Sequence, residues 1–245
     1  MDIQQITNNL KKLLYKNNVC ESHGIDHAIK VMNHATKALE SFDYNLTQEE
    51  TKCVLLAALL HDADDSKFFP KNTQNENVRL LLSNEQNVDS INLIIEMVNL
   101  VSSSKNADII PPNIIDKEWM LIPRYSDRLE AIGIIGIKRC YQYNKTSNRL
   151  LFVDTTPRVK TIEELWMVAS IERYNNYCGK SVSMIDHYYD KLLRLCFFPI
   201  KNEYLINMSK IRIRPVIDFI LYFGEKYVID DNDIINFINM AETKY

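Results

Sequence analysis

Glycine is scarce in this chain, with 5 among 245 residues, where ordinary usage of about 7% gives roughly 17. Rossmann and P-loop enzymes place several glycines at fixed spacing around a phosphate, so the shortage argues against both. Proline is also sparse, at 7 residues, which leaves few points where a helix must break. The 5 cysteines (Cys20, Cys53, Cys140, Cys178 and Cys196) are odd in number and show no C-x-x-C spacing. That pattern disfavours a disulfide framework and a zinc-thiolate site, and favours buried thiols in a reducing compartment. No apolar run reaches the roughly 20 residues of a bilayer span; VLLAALL is typical of the longest. The opening MDIQQITNNLKK lacks a basic stretch followed by an apolar one, so no secretory signal is read there. A soluble protein, cytoplasmic or otherwise intracellular and without a membrane partner, is expected. An excess of one charge is missing too: 29 Lys and Arg oppose 32 Asp and Glu, a net charge of -3. No basic stripe suggests a stable nucleic-acid partner.

What the chain does have is apolar residues at helical spacing. Ile3, Ile6, Leu10, Leu13 and Leu14 form one such series, and Ile29, Val31, Met32, Ala35 and Leu39 another. Thr47 and Glu50 make a capping box ahead of a dense apolar helix that runs into LLAALLHDADD. Val88 to Val101 predicts a helix stopped by Ser102 to Ser104, and Pro111 and Pro112 mark a boundary or a helix start. YSDRLEAIGIIGIKRCYQY predicts one closely packed helix, with Gly133 and Gly136 relieving crowding beside Asp127. The pattern weakens over residues 144–181, where a β-hairpin or loop occupies 144–160 and a short helix follows Thr161. Helical patterning resumes in SMIDHYYDKLLRLCFF and IRIRPVIDFILYFGEKY, and a terminal helix starts at Asp231. The expectation is an all-α single domain over residues 1–245, with 144–181 as an insertion or lid-like segment.

Candidate chemistry begins with His61 and Asp62, adjacent at the end of the very apolar helix. Two polar groups emerging from such a run need partners. His27 on the preceding helix and Asp127 on a later one complete two imidazoles and two carboxylates. That set suits Mn²⁺, Co²⁺, Ni²⁺, Fe²⁺ or Zn²⁺ and leaves positions open for water and a phosphate oxygen. Read singly, each residue has a plainer role: His27 as a packed histidine, the His-Asp pair as an accident, Asp127 with Arg128 as an ion pair.

The segments HGIDHAIKV, ALLHDADDSKF and YSDRLEAIGIIGIKR resemble the HD-domain metal-dependent phosphohydrolases, and more narrowly the bacterial branch that includes nucleotide pyrophosphohydrolases. The resemblance covers roughly residues 18–225. It implies an HD-domain helical bundle with His27, His61, Asp62 and Asp127 as ligands of one divalent ion, Mn²⁺ favoured and Mg²⁺ also admitted. It further implies Asp65 as a proton acceptor and Lys67 as a phosphate holder, with a solvated helix exit as the alternative for both. His23, Arg128, Arg139, His187, Lys191 and Arg212 become candidate substrate contacts, with a packing or ion-pair role as the alternative for Arg212. His34 reads as a core residue in preference to a ligand. Gly24 and Lys30 replace an acidic residue and an arginine usual in the subgroup, and Asp26 is a candidate acceptor for His27. The activity implied is hydrolysis of a nucleoside triphosphate to monophosphate and pyrophosphate by metal-activated water. The alternatives are 5′-nucleotidase or phosphodiesterase action on the same site, or a catalytically inactive nucleotide-binding or structural protein. The expected partner is a small nucleotide or other phosphate substrate, with a homodimer as a further expectation.

Overall fold

The computed structural model describes residues 2–41, 44–102 and 109–245, and among these no strand occurs. The α-helices are α1 Ile3–Lys16, α2 Ile25–Glu40, α3 Gln48–Leu60, α4 Glu76–Leu81, α5 Val88–Val101 and α6 Ile122–Ala131, followed by α7 Gly133–Thr146, α8 Ile162–Val168, α9 Ile171–Asn175, α10 Met184–Asp190, α11 Glu203–Glu225 and α12 Asp231–Lys244. Short 3₁₀ segments cover Glu21–His23, Pro112–Leu121 and Leu192–Cys196. The all-α expectation holds. Residues 103 and 104 of the expected stop after α5 lie outside the described residues. No described helix is long and apolar enough to cross a membrane.

The chain forms two compact units. The first comprises Met1–Asp127 and Ile200–Leu205. Its central element is α3, which packs against both α2 and α5. The Thr47–Glu50 capping box starts α3 as expected. Cys53, Val54 and Leu56 through Leu60 are then all buried, so α3 delivers its C-terminal His61 from the middle of the core. On α2, the buried side chains His27, Ala28, Val31, His34, Ala35 and Ala38 form one face. His34 is a core residue: its Nδ1 lies 2.6 Å from the Tyr204 hydroxyl.

The second unit comprises Arg128–Pro199 and Ile206–Tyr245. Its core includes tilted aromatic rings, with the Phe219 ring centroid 5.3 Å from that of Tyr188 and 5.2 Å from that of Phe237. Residues 149–160 form a loop, not a hairpin. The Leu150 and Leu151 carbonyls accept from the Met184 and Ile185 amides at the start of α10. Thr156 donates to buried Asp186 at 2.7 Å, and Arg158 donates to the Phe223 and Lys226 carbonyls at the end of α11. The short helix after Thr161 is present and opens with its own capping box.

The single helix expected over YSDRLEAIGIIGIKRCYQY is instead two, α6 and α7, broken at Ile132 and Gly133. Gly133 has φ +80°, a conformation that side chains disfavour. A Cβ on Gly136 would sit 2.3 Å from the Ala131 carbonyl oxygen. The two glycines therefore serve the sharp turn between α6 and α7, and their nearest neighbours are Arg212 and Ala131, not Asp127. SMIDHYYDKLLRLCFF likewise changes from α-helix to 3₁₀ at Lys191. All five cysteines are free, but the expectation of buried thiols holds fully only for Cys53, since Cys20 and Cys178 are exposed.

Candidate metal centre

His27 occupies the first turn of α2 and is held inward by the helix's apolar face. His61 caps the C-terminus of α3, and its Nδ1 donates to the Ala58 carbonyl at 2.8 Å. A carbonyl accepts only, so the proton of neutral His61 resides on Nδ1 and Nε2 keeps its lone pair for a ligand. That Nε2 lies 3.2 Å from the Nε2 of His27. Asp127, within α6, places Oδ1 3.3 Å from His27 Nε2 and 3.5 Å from His61 Nε2. Asp62 places Oδ2 3.3 Å from His61 Nε2 and 3.8 Å from His27 Nε2.

Both histidines are buried, whereas the Asp62 and Asp127 side chains keep 25% and 29% of their surface open. The cluster thus has a closed nitrogen floor and an approachable oxygen side. Two imidazole nitrogens and two carboxylates facing one point need positive charge between them, which protons or a cation can supply. His27, His61 and Asp127 offer ligand atoms close enough together to hold one metal ion, and Asp62 borders the same two nitrogens. The mixed nitrogen and oxygen donors fit a borderline divalent ion. The Nδ1 of His27 is buried with no hydrogen-bond partner among the described residues. Asp26 is exposed on α2, so it does not act as the acceptor expected for His27.

Burial opposes charge on His61, but the Asp62 and Asp127 carboxylates outweigh it and raise its pKa well above the usual imidazole value. Asp62 and Asp127 respond reciprocally: burial pushes them up, and the imidazoles hold both below the normal carboxylate range. A raised histidine pKa stabilises the metal-free fold at low pH, and that contribution is lost as pH rises through the shifted value. The depressed carboxylates contribute above about pH 4 and lose their effect as pH falls. An incoming ion must displace the His61 proton. Divalent-ion affinity is therefore expected to rise across and above about pH 6.5, with close to one proton released per ion. Calorimetric titration in buffers of different ionisation enthalpy measures that proton directly.

The three acids of HDADD have separate tasks. Asp62 faces the histidines, while Asp64 is buried and turned away. The Asp64 carboxylate accepts from Asn72 Nδ2 at 2.5 Å and from the Asn77 and Val78 amides at 3.0 Å each, satisfying the N-terminus of α4. Asp64→Ala is expected to lower stability by about 3 kcal/mol, because it orphans donors that a charged acceptor satisfies. Denaturant melts compared with wild type check this. Asp65 ends the turn: its Oδ1 accepts the Lys67 amide at 2.9 Å, and its Oδ2 lies 3.5 Å from Lys67 Nζ. His23 joins this side, with its ring 6.3 Å from that of His27 and 5.3 Å from Phe68.

The remaining candidates lie in the second unit. Arg212 donates to the Leu129 carbonyl and to Glu130 Oε1, both at 2.7 Å, which is the packing and ion-pair role anticipated as its alternative. Arg139 donates to the Glu130 carbonyl at 3.0 Å, and Arg128 is buried. His187 and Lys191 share one face through Tyr177: its ring lies 5.6 Å from His187 and 5.8 Å from Lys191 Nζ. The sequence reading missed the organising roles of Asp64 and Glu130. Each belongs to an acidic segment whose members look alike until their backbone partners are known.

No protein-family model matches the chain. The uncharacterised protein L803 of Acanthamoeba polyphaga mimivirus is 36% identical over 241 residues, covering 91% of this chain and 97% of that protein. Among solved structures, a Lactobacillus plantarum protein superposes with a TM-score of 0.64 at 21% identity, covering 89% of this chain and 92% of its own. An HD-superfamily hydrolase from Bacillus thuringiensis gives 0.59 at 20% identity, covering 90% and 94%. Bacillus subtilis YpgQ, solved in complex with ADP, gives 0.57 at 18% identity, covering 99% and 94%. The chain belongs to one family with the mimivirus protein, and its all-helical architecture is that of the HD-domain hydrolases.

Proposed function

We propose that this chain is a divalent-metal-dependent phosphohydrolase that cleaves nucleoside triphosphates to the monophosphate and pyrophosphate. The observation that carries this reading is the convergence of His27, His61 and Asp127, with Asp62 beside them, on one point open on its carboxylate side. The likeness to an HD-superfamily hydrolase and to an ADP complex supports both the reaction class and the nucleotide. A divalent ion held by these residues supplies a Lewis acid that polarises phosphate oxygens and lowers the pKa of water. The chain's own contribution is positional. The Ala58 carbonyl fixes the His61 tautomer, and the Lys67 amide fixes one oxygen of Asp65. The other oxygen of Asp65 is left to accept a proton from the attacking water. Lys67, whose side chain is 55% exposed, can leave Asp65 for a phosphate oxygen and offset charge that grows at the leaving group. Attack at the α-phosphorus would form one P–O bond to the water oxygen and break the P–O bond to the bridging oxygen of the β-phosphate, so that pyrophosphate leaves.

The test is a Mn²⁺-supplemented assay over nucleoside triphosphates and monophosphates that quantifies pyrophosphate and orthophosphate separately. Pyrophosphate release that His61→Ala abolishes supports the proposal. Orthophosphate release from monophosphates alone assigns the site to phosphomonoester cleavage, and activity unchanged in His61→Ala overturns the metal mechanism.

A further inference from the structure

Between Ile122 and Glu130 every residue of α6 is buried except Asp127, which is half-buried. A helix covered on all sides has no polar face to set its rotation, and apolar burial is non-directional. Each step along a helix turns the side chain by about 100° and advances it by about 1.5 Å. A one-residue slip of α6 would therefore carry Asp127 Oδ1 away from the Nε2 atoms of His27 and His61, which lie 3.3 and 3.5 Å from it. We infer that Arg124, one turn before Asp127, is a positioning residue that fixes α6 in register with the two histidines. This rests on the metal-dependent reading of the site and names a residue that serves it through Asp127.

Arg124 is 1% exposed. Its Nε donates to the Leu100 carbonyl at 2.6 Å, and its Nη2 donates to the Ile109 carbonyl at 3.4 Å. Leu100 lies in the last turn of α5, where carbonyls lack helical partners and form the negative end of the helix dipole. A cation is favoured there, and a planar guanidinium adds direction because its donors are set at fixed angles. α5 packs against α3, and α3 packs against α2. The connection thus runs from Asp127 through Arg124 and α5 to the helices that carry His61 and His27. All of these groups belong to the first unit.

Burying a guanidinium is costly, and an apolar side chain of similar volume would fill the same space. What the apolar side chain lacks is the directed hydrogen bonding that holds one helix end to the next. Lysine keeps the charge of Arg124 but not its planar fork, and glutamine keeps a planar donor but not the charge. The two substitutions therefore separate orientation from charge while leaving every metal-ligating side chain in place.

Mn²⁺ binding by Arg124→Lys and Arg124→Gln tests the inference, on protein whose aspartates are isotopically labelled at the side-chain carboxyl carbon. Affinity is expected to fall about 10- to 100-fold in both variants, the usual effect of losing a group that orients a ligand. Pulsed electron–nuclear double resonance counts the carboxylates coupled to the ion. One fewer than in wild type is expected, with both imidazole nitrogens retained. An unchanged carboxylate count in both variants, or joint loss of nitrogens and carboxylates, overturns the inference and leaves the metal site standing. Loss of the helical circular dichroism signal in both variants assigns Arg124 to folding alone and also overturns it. Failure of wild type to bind any Mn²⁺ overturns the metal-dependent reading itself.

Discussion

Asp62→Ala is expected to reduce kcat/KM by about 10³-fold or more, corresponding to roughly 4 kcal/mol of transition-state stabilisation. Asp62 Oδ2 is the carboxylate atom nearest His61 Nε2, at 3.3 Å. Removing it weakens retention of the ion and leaves buried imidazoles short of a counter-charge. The loss should appear in metal content as well as rate, with the helical circular dichroism signal unchanged. His34→Phe is the contrasting variant. His34 is on the same α2 face as His27, but its Nδ1 partner is Tyr204, so its loss should reduce stability and spare the bound metal. Equal rate losses in the two variants would mean that the effect comes from general disruption.

Gly136→Ala is expected to be among the most destabilising single-methyl changes in the chain. The added Cβ would meet the Ala131 carbonyl oxygen at 2.3 Å and its carbon at 2.6 Å. These are backbone atoms at the end of α6, so relief requires moving one helix end against the next. A cost of about 3 kcal/mol is expected, which lowers the melting temperature by roughly 6–12 °C for a chain of this size. Gly133→Ala should cost less, about 1–2 kcal/mol, because its penalty is a positive φ and not an overlap with backbone. Thermal scans of both variants beside wild type check the size and the order; Gly136→Ala melting like wild type would contradict the close approach.

The same turn shows where the sequence stops being legible. Leu129, Ile132, Ile135 and Ile137 keep helical spacing across it, and a glycine within a helix costs only about 1 kcal/mol. Nothing local distinguishes a tolerated glycine from one that ends a helix. By contrast, α5 matches its expected bounds of Val88–Val101, because Asn87 caps its start and no apolar residue extends the series past its end. The capping box of α3 is legible for the same reason: both partners lie within one turn. In the candidate site, His61 and Asp62 stand out because they end a strongly apolar run, whereas His27 and Asp127 are legible through the resemblance of their segments to the HD-domain hydrolases. The division of labour among Asp62, Asp64 and Asp65 does not. It depends on which carboxylate meets the amides of α4, more than ten residues farther along the chain. Arg139 and Arg212 are candidate substrate contacts in the sequence, the latter with a packing or ion-pair alternative; that Glu130 joins them, its carbonyl and carboxylate accepting from the two guanidinium groups, is not legible there.

Both imidazoles and their neighbouring carboxylates are expected to hold one divalent ion. Pulsed electron paramagnetic resonance on protein loaded with Mn²⁺ below one equivalent counts nitrogen ligands directly. Two imidazole nitrogens coupled to the ion are expected in wild type, and one in either His27→Ala or His61→Ala where metal is retained. A Mn²⁺ ion with no nitrogen coupling, or with coupling unchanged in both variants, would contradict it.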